Sequence, residues 1–272
     1  MGVTEPSGNS SDGTPEATLL PATVIAATRR RLRAWGRKNY RDFPWRKPDR
    51  MWHALVAEVF LQRTRARNVL PVYISFVTRF PTTDALQGIS EEEVGRIMYP
   101  LGLRWRAPLL KKLLDHLITT GGYVPDTYEK LLELPGVGPY VAAAMVSFHH
   151  GKRSIIIDAN VVRWLCRMVD RPMDGETRRD RWLIELAEAI TPARKVGQFN
   201  YALLDFTMEI CATKPQCDRC PLGARLCAYG RHVMEQNPSP TNHVPAIDRI
   251  SKEAGSDRVP QVEGTHIESS GI

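Results

Sequence analysis

Nowhere in these 272 residues does an apolar run reach the 18 or so residues from which a membrane-spanning helix is built. No helical span is expected. The N-terminus has neither the basic stretch nor the apolar core of a secretory leader, so the expectation is a cytoplasmic protein. The alternation of apolar and polar residues that marks a half-buried strand is also missing. Only Ser154–Ile157 has strand character, too little to build a sheet. No internal repeat is found, which argues against a solenoid. Cysteine is scarce, five in all, yet four of the five fall within the 17 residues from Cys211 to Cys227. A disulfide scaffold is a poor reading of thiols in a chain with no leader.

What is present is helical periodicity and positive charge. Apolar residues recur at helical spacing over 21–38, 51–63, 66–79, 91–98, 105–120, 127–134, 139–149, 159–169, 178–190 and 198–208. Phe43-Pro44, Phe80-Pro81, Gly121-Gly122, Pro135-Gly136 and Thr191-Pro192 separate them. The fold class is therefore all-α. Residues 1–19 and 231–272 lack apolar period and are rich in polar residues, Gly or Pro, so both are expected to be disordered tails around a body spanning 20–230. Removing the −3 carried by 1–19 and the −2 carried by 231–272 from the formal +7 of the chain leaves +12 on that body. A basic body with acidic ends points to a polyanionic partner, most simply nucleic acid.

Three motifs carry chemistry. The first is the loop holding Cys211, Cys217, Cys220 and Cys227, a metal centre by its crowding. Structural zinc usually pairs two tight knuckles; here one Cys-x-x-Cys is flanked by gaps of five and six, which suits a [4Fe–4S] cluster better and leaves zinc open. The second is Leu134-Pro-Gly136-Val137-Gly138-Pro139-Tyr140 between two helices. Its glycines permit a tight turn with positive φ, Pro139 suits a first helical turn, and backbone N–H groups there can face a phosphate. This reads as a helix-hairpin-helix. The third is Asp158, between an apolar run and a helix, where an ordinary N-cap is the plain alternative.

Hairpin, Asp158 and four-cysteine loop, in this order, resemble the helix-hairpin-helix-GPD superfamily of base-excision DNA glycosylases. More narrowly they resemble its iron–sulfur branch of endonuclease III, MutY-type adenine glycosylases and Mig-type thymine mismatch glycosylases. The resemblance runs over residues 22–230 and includes Asp42-Phe-Pro-Trp45-Arg46, Glu58-Val-Phe-Leu-Gln62-Arg63-Thr64 and Phe199-Asn-Tyr-Ala-Leu-Leu-Asp205. It implies a two-lobed fold, one lobe of about 50–155 and a second from 20–49 and 156–210, with the cluster loop at 211–227. The cysteine gaps run in the reverse order of the family's pattern, so Cys217 and Cys220 are each displaced by one place.

By resemblance, Asp158 is the catalytic carboxylate. The residue chemistry agrees, since an anion beside the sugar stabilises an oxocarbenium-like transition state. The target base must leave the stack, and the resemblance makes Gln62 or Arg63 the wedge that fills the hole. Tyr140 stands where endonuclease III-type members hold a Schiff-base lysine. A phenol forms no Schiff base, so a monofunctional enzyme is expected, with Lys152 the nearest alternative amine. Glu58, in an apolar stretch, is expected to have a raised pKa and to protonate the departing base. Gly136, Val137, Gly138, Lys214 and Arg219 are expected to contact DNA. The expected partner of this monomer is double-stranded DNA with a mismatched or damaged base. Asp158-Ala-Asn160 and the short polar C-terminus favour thymine or uracil opposite guanine, with adenine excision as the alternative. A non-enzymatic lesion-binding module with a structural metal is the remaining one.

Overall fold

A computed structural model of the chain describes residues 20–236; the expected tail 1–19 and most of the expected tail 231–272 lie outside them. Among the described residues there are helices and turns and no strand. The α-helices are α1 (Ala22–Lys38), α2 (Met51–Phe60), α3 (Ala66–Arg79), α4 (Glu91–Met98), α5 (Ala107–Thr119) and α6 (Tyr128–Leu132). They continue with α7 (Pro139–Ala144), α8 (Ala159–Val169), α9 (Arg181–Ile190), α10 (Val196–Glu209), α11 (Gly223–Leu226) and α12 (Ala228–Gln236).

Two apolar cores organise these helices. Trp52, Phe60, Phe76, Leu110 and Leu114 belong to the first, built from α2 to α7. Leu32, Trp164, Leu165, Phe199 and Phe206 belong to the second, built from α1, α8, α9 and α10 and closed by Cys211, Leu222 and Cys227. The helix begun by α7 serves both, because Val141 and Met145 face the first core while Ala143 and Ala144 face the second. Its small residues permit that double contact. The fit of α1 on α10 depends on another small residue. A Cβ at Gly36 would stand 2.3 Å from Ala202 Cβ, closer than two carbons can approach, so this crossing requires glycine.

Several expectations are corrected. The segment from 231 was expected to be a tail, but α12 runs on to Gln236. It holds because Tyr229 lies under the Arg167 cation at 5.0 Å and His232 Nε2 meets Asp170 at 3.3 Å. The second helix ends at Phe60 and not at 63, since Arg63 adopts a left-handed φ of 60°. Ser154–Ile157 pairs with no strand; its carbonyl at Ser154 accepts from Asn200 Nδ2 instead. Trp45, placed by sequence in the lobe of 20–49, packs in the first core. The helix expected over 139–149 changes to a π-turn at Met145–His149, a wider coil in which one extra residue is accommodated.

Candidate functional site

Four elements deliver polar side chains to one buried place. Glu58 comes from the last turn of α2, Tyr140 from the first turn of α7, His149 from the end of the π-turn and Tyr201 from α10. Glu58 Oε1 lies 3.6 Å from His149 Nε2, and both side chains are 2% exposed. Glu58 Oε2, His149 Nε2 and the Tyr201 hydroxyl are buried without hydrogen-bond partners. Three such orphans side by side are costly unless something else bonds them. Burial, then the neighbouring charges of Glu58 and Asp158, push the Tyr140 phenol well above its ordinary value. Burial and Glu58 push Tyr201 up likewise.

The wall behind Tyr201 is an ion pair. Arg46 donates from both terminal nitrogens to Asp205 at 2.8 and 2.7 Å, with side-chain exposures of 4% and 1%. Burial works against the Arg46 cation, but the bonds to Asp205 outweigh it and hold the guanidinium above its ordinary value. That cation sits 4.3 Å from the Tyr201 ring centroid, and Phe148 stacks on the same ring at 4.1 Å between centroids. Tyr201 is therefore held as a rigid wall.

Asp158 caps α8, half-buried. Its Oδ1 accepts from the backbone N–H groups of Asn160 at 2.9 Å and Val161 at 2.7 Å, and its Oδ2 accepts from the Asn160 amide at 2.9 Å. The plain N-cap role is thus real, and it fixes the carboxylate at the positive end of the helix. Asn160 Oδ1 in turn accepts from Arg163 at 2.9 Å. Arg163 and Arg167, a turn apart on α8, both donate to the Cys211 carbonyl, and Arg167 also reaches the carbonyls of Ala212 and Thr213.

The cysteine loop is pinned from two helices, since Arg31 on α1 donates to the carbonyls of Pro221 and Leu222. Cys211, Cys217, Cys220 and Cys227 are free thiols that line one shared pocket against Trp164, Phe206 and Leu222. Burial raises the thiols of Cys217 and Cys220, and that of Cys227 to about 11. Four cysteines facing one cavity fit the donor set of a [4Fe–4S] cluster. Among the described residues no three Cys, His, Asp or Glu side chains are grouped closely enough to hold one metal ion, so the thiols share a pocket and zinc stays open beside the cluster.

Most of the remaining sequence-derived residues lie at or near the surface. Gln62 is half-buried and Arg63 exposed, in the turn after α2 that Thr64 Oγ1 ties to the Leu101 carbonyl at 3.2 Å. In the hairpin only Gly136 needs a positive φ, 75°; Gly138, expected to share it, is extended at −102° and caps α7. Val137 is buried and its N–H donates to Leu134 O at 3.1 Å, so that amide is not offered to a ligand. Lys214 and Arg219 are exposed, Arg219 bonding Gln216 Oε1 at 2.7 Å. Lys152 is held on the surface by Asp126. Sequence reasoning gave no site role to His149 or Tyr201; a histidine ending an otherwise apolar helix was the available signal for the first.

Comparison with known proteins agrees with this architecture. Residues 56–205 match the family described as HhH-GPD superfamily base excision DNA repair protein. A thymine-DNA glycosylase of Aeropyrum pernix is 37% identical over 212 residues, covering 75% of this chain and 95% of that protein. A thymine/uracil-DNA glycosylase of Pyrobaculum aerophilum is 35% identical, covering 70% of this chain and 85% of the other. The human adenine DNA glycosylase is 32% identical over 82% of this chain but only 45% of its own length. The solved structure of a thermostable thymine-DNA glycosylase superposes with a TM-score of 0.68 at 31% identity, over 77% of this chain and 98% of the other. This chain belongs to the HhH-GPD superfamily of base-excision DNA repair proteins.

Proposed function

We propose that this DNA glycosylase is monofunctional and hydrolyses the N-glycosidic bond of thymine or uracil opposite guanine. The observation that carries the reading is the joint placement of Asp158, at the N-terminus of α8, with Tyr140 and Glu58 around one buried polar pocket. A flipped base entering there meets the orphan Glu58 Oε2 and Tyr201 hydroxyl, which it can bond. Its sugar then lies by the Asp158 carboxylate, which stabilises the positive charge that develops as the bond to the base breaks. Tyr140 lines the pocket beside both carboxylates and offers no amine. The nearest amine, Lys152, is engaged by Asp126 outside it. Hydrolysis without strand cleavage follows.

DNA is gripped, in this reading, by the backbone around Gly136 and Gly138 and by exposed Lys214 and Arg219, with Gln62 or Arg63 filling the hole left by the base. Arg63 suits that role, because a non-glycine residue held in the left-handed region stores strain of about 1–2 kcal/mol, and such strain gathers at functional positions. The four cysteines would hold a [4Fe–4S] cluster, which when bound supplies a rigid cross-link of the loop. The chain's own contribution is the double anchorage of that loop by Arg31 and by Arg163 and Arg167.

Excision of adenine is the second reading, favoured by the likeness to adenine glycosylases. Single-turnover assays on T:G, U:G, A:G and A:8-oxoguanine duplexes, with alkali added to reveal abasic sites, separate the two. Cleavage of the T and U strands is expected, with no adduct trapped by borohydride. Cleavage confined to the A strands, or a trapped adduct, refutes the corresponding part.

A further inference from the structure

The Glu58–His149 contact is the least explained feature of the pocket. His149 ends the π-turn, and its side chain there is 2% exposed. Immediately before it, Phe148 is locked on the Tyr201 ring, 8° from parallel. Gly197 lets α10 approach the same turn, since a Cβ there would come within 2.9 Å of the Ser147 carbonyl. His149 therefore has little freedom to turn away. Its Nε2 meets no acceptor other than Glu58 Oε1 at 3.6 Å, and Glu58 Oε2 is left free. An imidazole against one oxygen limits the orientations open to the carboxylate, whose charge acts on both Tyr140 and Tyr201 and whose Oε2 is buried without a partner.

We propose that His149 is a positioning residue for Glu58: its imidazole holds Oε1, so that Oε2 is fixed toward the edge of the extruded base. The inference rests on the excision pocket proposed above and adds to it the group that orients its buried carboxyl. The other charged groups bordering this place are committed elsewhere. Arg46 is bound by Asp205, and Asp158 is bound by the α8 amides and Asn160. His150, the next residue, bonds the backbone at Pro125. Among the described residues, His149 Nε2 is the side-chain nitrogen that lies within 4 Å of Glu58 Oε1.

The test is a double-mutant cycle read by single-turnover excision on the duplex that the parent enzyme cleaves. In the parent, His149→Ala should slow excision about 10- to 100-fold, within the range of coupling found between residues in direct contact. In a Glu58→Gln background the same change should cost less than about 3-fold, because the group it positions is gone. His149→Gln, which keeps a donor near the Nε2 site, should recover most of the parent rate. Additive losses in the two backgrounds, or a His149→Ala enzyme at parental rate, overturn the proposal. A merely structural histidine would give the additive result, with no recovery in His149→Gln. Asp158→Asn, run alongside, separates the two levels. If it abolishes excision while the cycle is additive, only the role of His149 falls. If it leaves excision intact, the pocket reading falls and this inference with it.

Discussion

Asp158 caps α8 and, in the proposed function, also stabilises charge on the sugar, and a single substitution should separate the two. In Asp158→Asn the new Oδ1 can still accept from the N–H groups of Asn160 and Val161, now at 2.9 and 2.7 Å, and Asn caps a helix about as well as Asp. What changes is the other oxygen. It becomes an NH2 facing the Asn160 amide at 2.9 Å, and Asn160 has little freedom to flip because its own oxygen accepts from Arg163. One hydrogen bond to a charged acceptor is lost at a half-buried site, worth about 1–2 kcal/mol. For a body of this size that is a fall in Tm of about 2–8 °C. The loss of the anion from the excision site is larger. Removing one preorganised electrostatic contact typically costs about 10²–10³-fold, and here the sole carboxylate beside the sugar is removed. Single-turnover excision and thermal melting on the same preparations give both numbers, and binding to an abasic-site duplex should stay within about 3-fold. A variant that keeps its rate within 10-fold while melting as the parent does would remove Asp158 from the chemistry and leave it a helix cap.

Asp205→Ala should be the reverse case, a stability lesion. It strands the Arg46 cation behind the Tyr201 wall, and breaking a buried pair from one side costs about 3–5 kcal/mol. Tm should fall by about 6–20 °C, and a change under about 1 kcal/mol in urea unfolding would show that water reaches the pair. Cys220→Ser should strip the purified protein of the iron content and visible absorption expected of a [4Fe–4S] loop. Stoichiometric zinc in the parent, or iron unchanged in the variant, would refute the assignment.

How much of this was legible in the sequence varied with the range of the interaction involved. α3, α4 and α8 lie where apolar periodicity put them, at Ala66–Arg79, Glu91–Met98 and Ala159–Val169. Their boundaries are set by local signals: Ser90 accepts from Glu93 N in a capping turn, and Asp158 does the same for α8. The errors came where tertiary contacts decide. Residues after 231 carry little apolar pattern, yet they coil because Arg167 and Asp170, sixty residues upstream, supply partners for Tyr229 and His232. The left-handed Arg63 and the π-turn at Met145–His149 carry no glycine or proline to announce them.

The same distinction explains why Asp158 could be singled out and His149 could not. Asp158 belongs to a motif whose spacing is local, whereas the meaning of His149 depends on Glu58, ninety-one positions earlier in the chain. Periodicity makes His149 one more residue on a helix that ends at a glycine. In the structure it closes a π-turn and lies 3.6 Å from Glu58. The placement of Asp158 also has a long-range part that its motif conceals. The helix it caps carries Arg163 and Arg167, which donate six hydrogen bonds to carbonyls and the Cys211 sulfur at the start of the cysteine loop. The carboxylate at one end of α8 and the loop at its side are therefore held by a single rigid element. If the proposed cluster is lost, the loop should loosen those arginine bonds first, and through Asn160 the carboxylate next. Disorder in the loop should then appear as a weaker excision rate before it appears as unfolding.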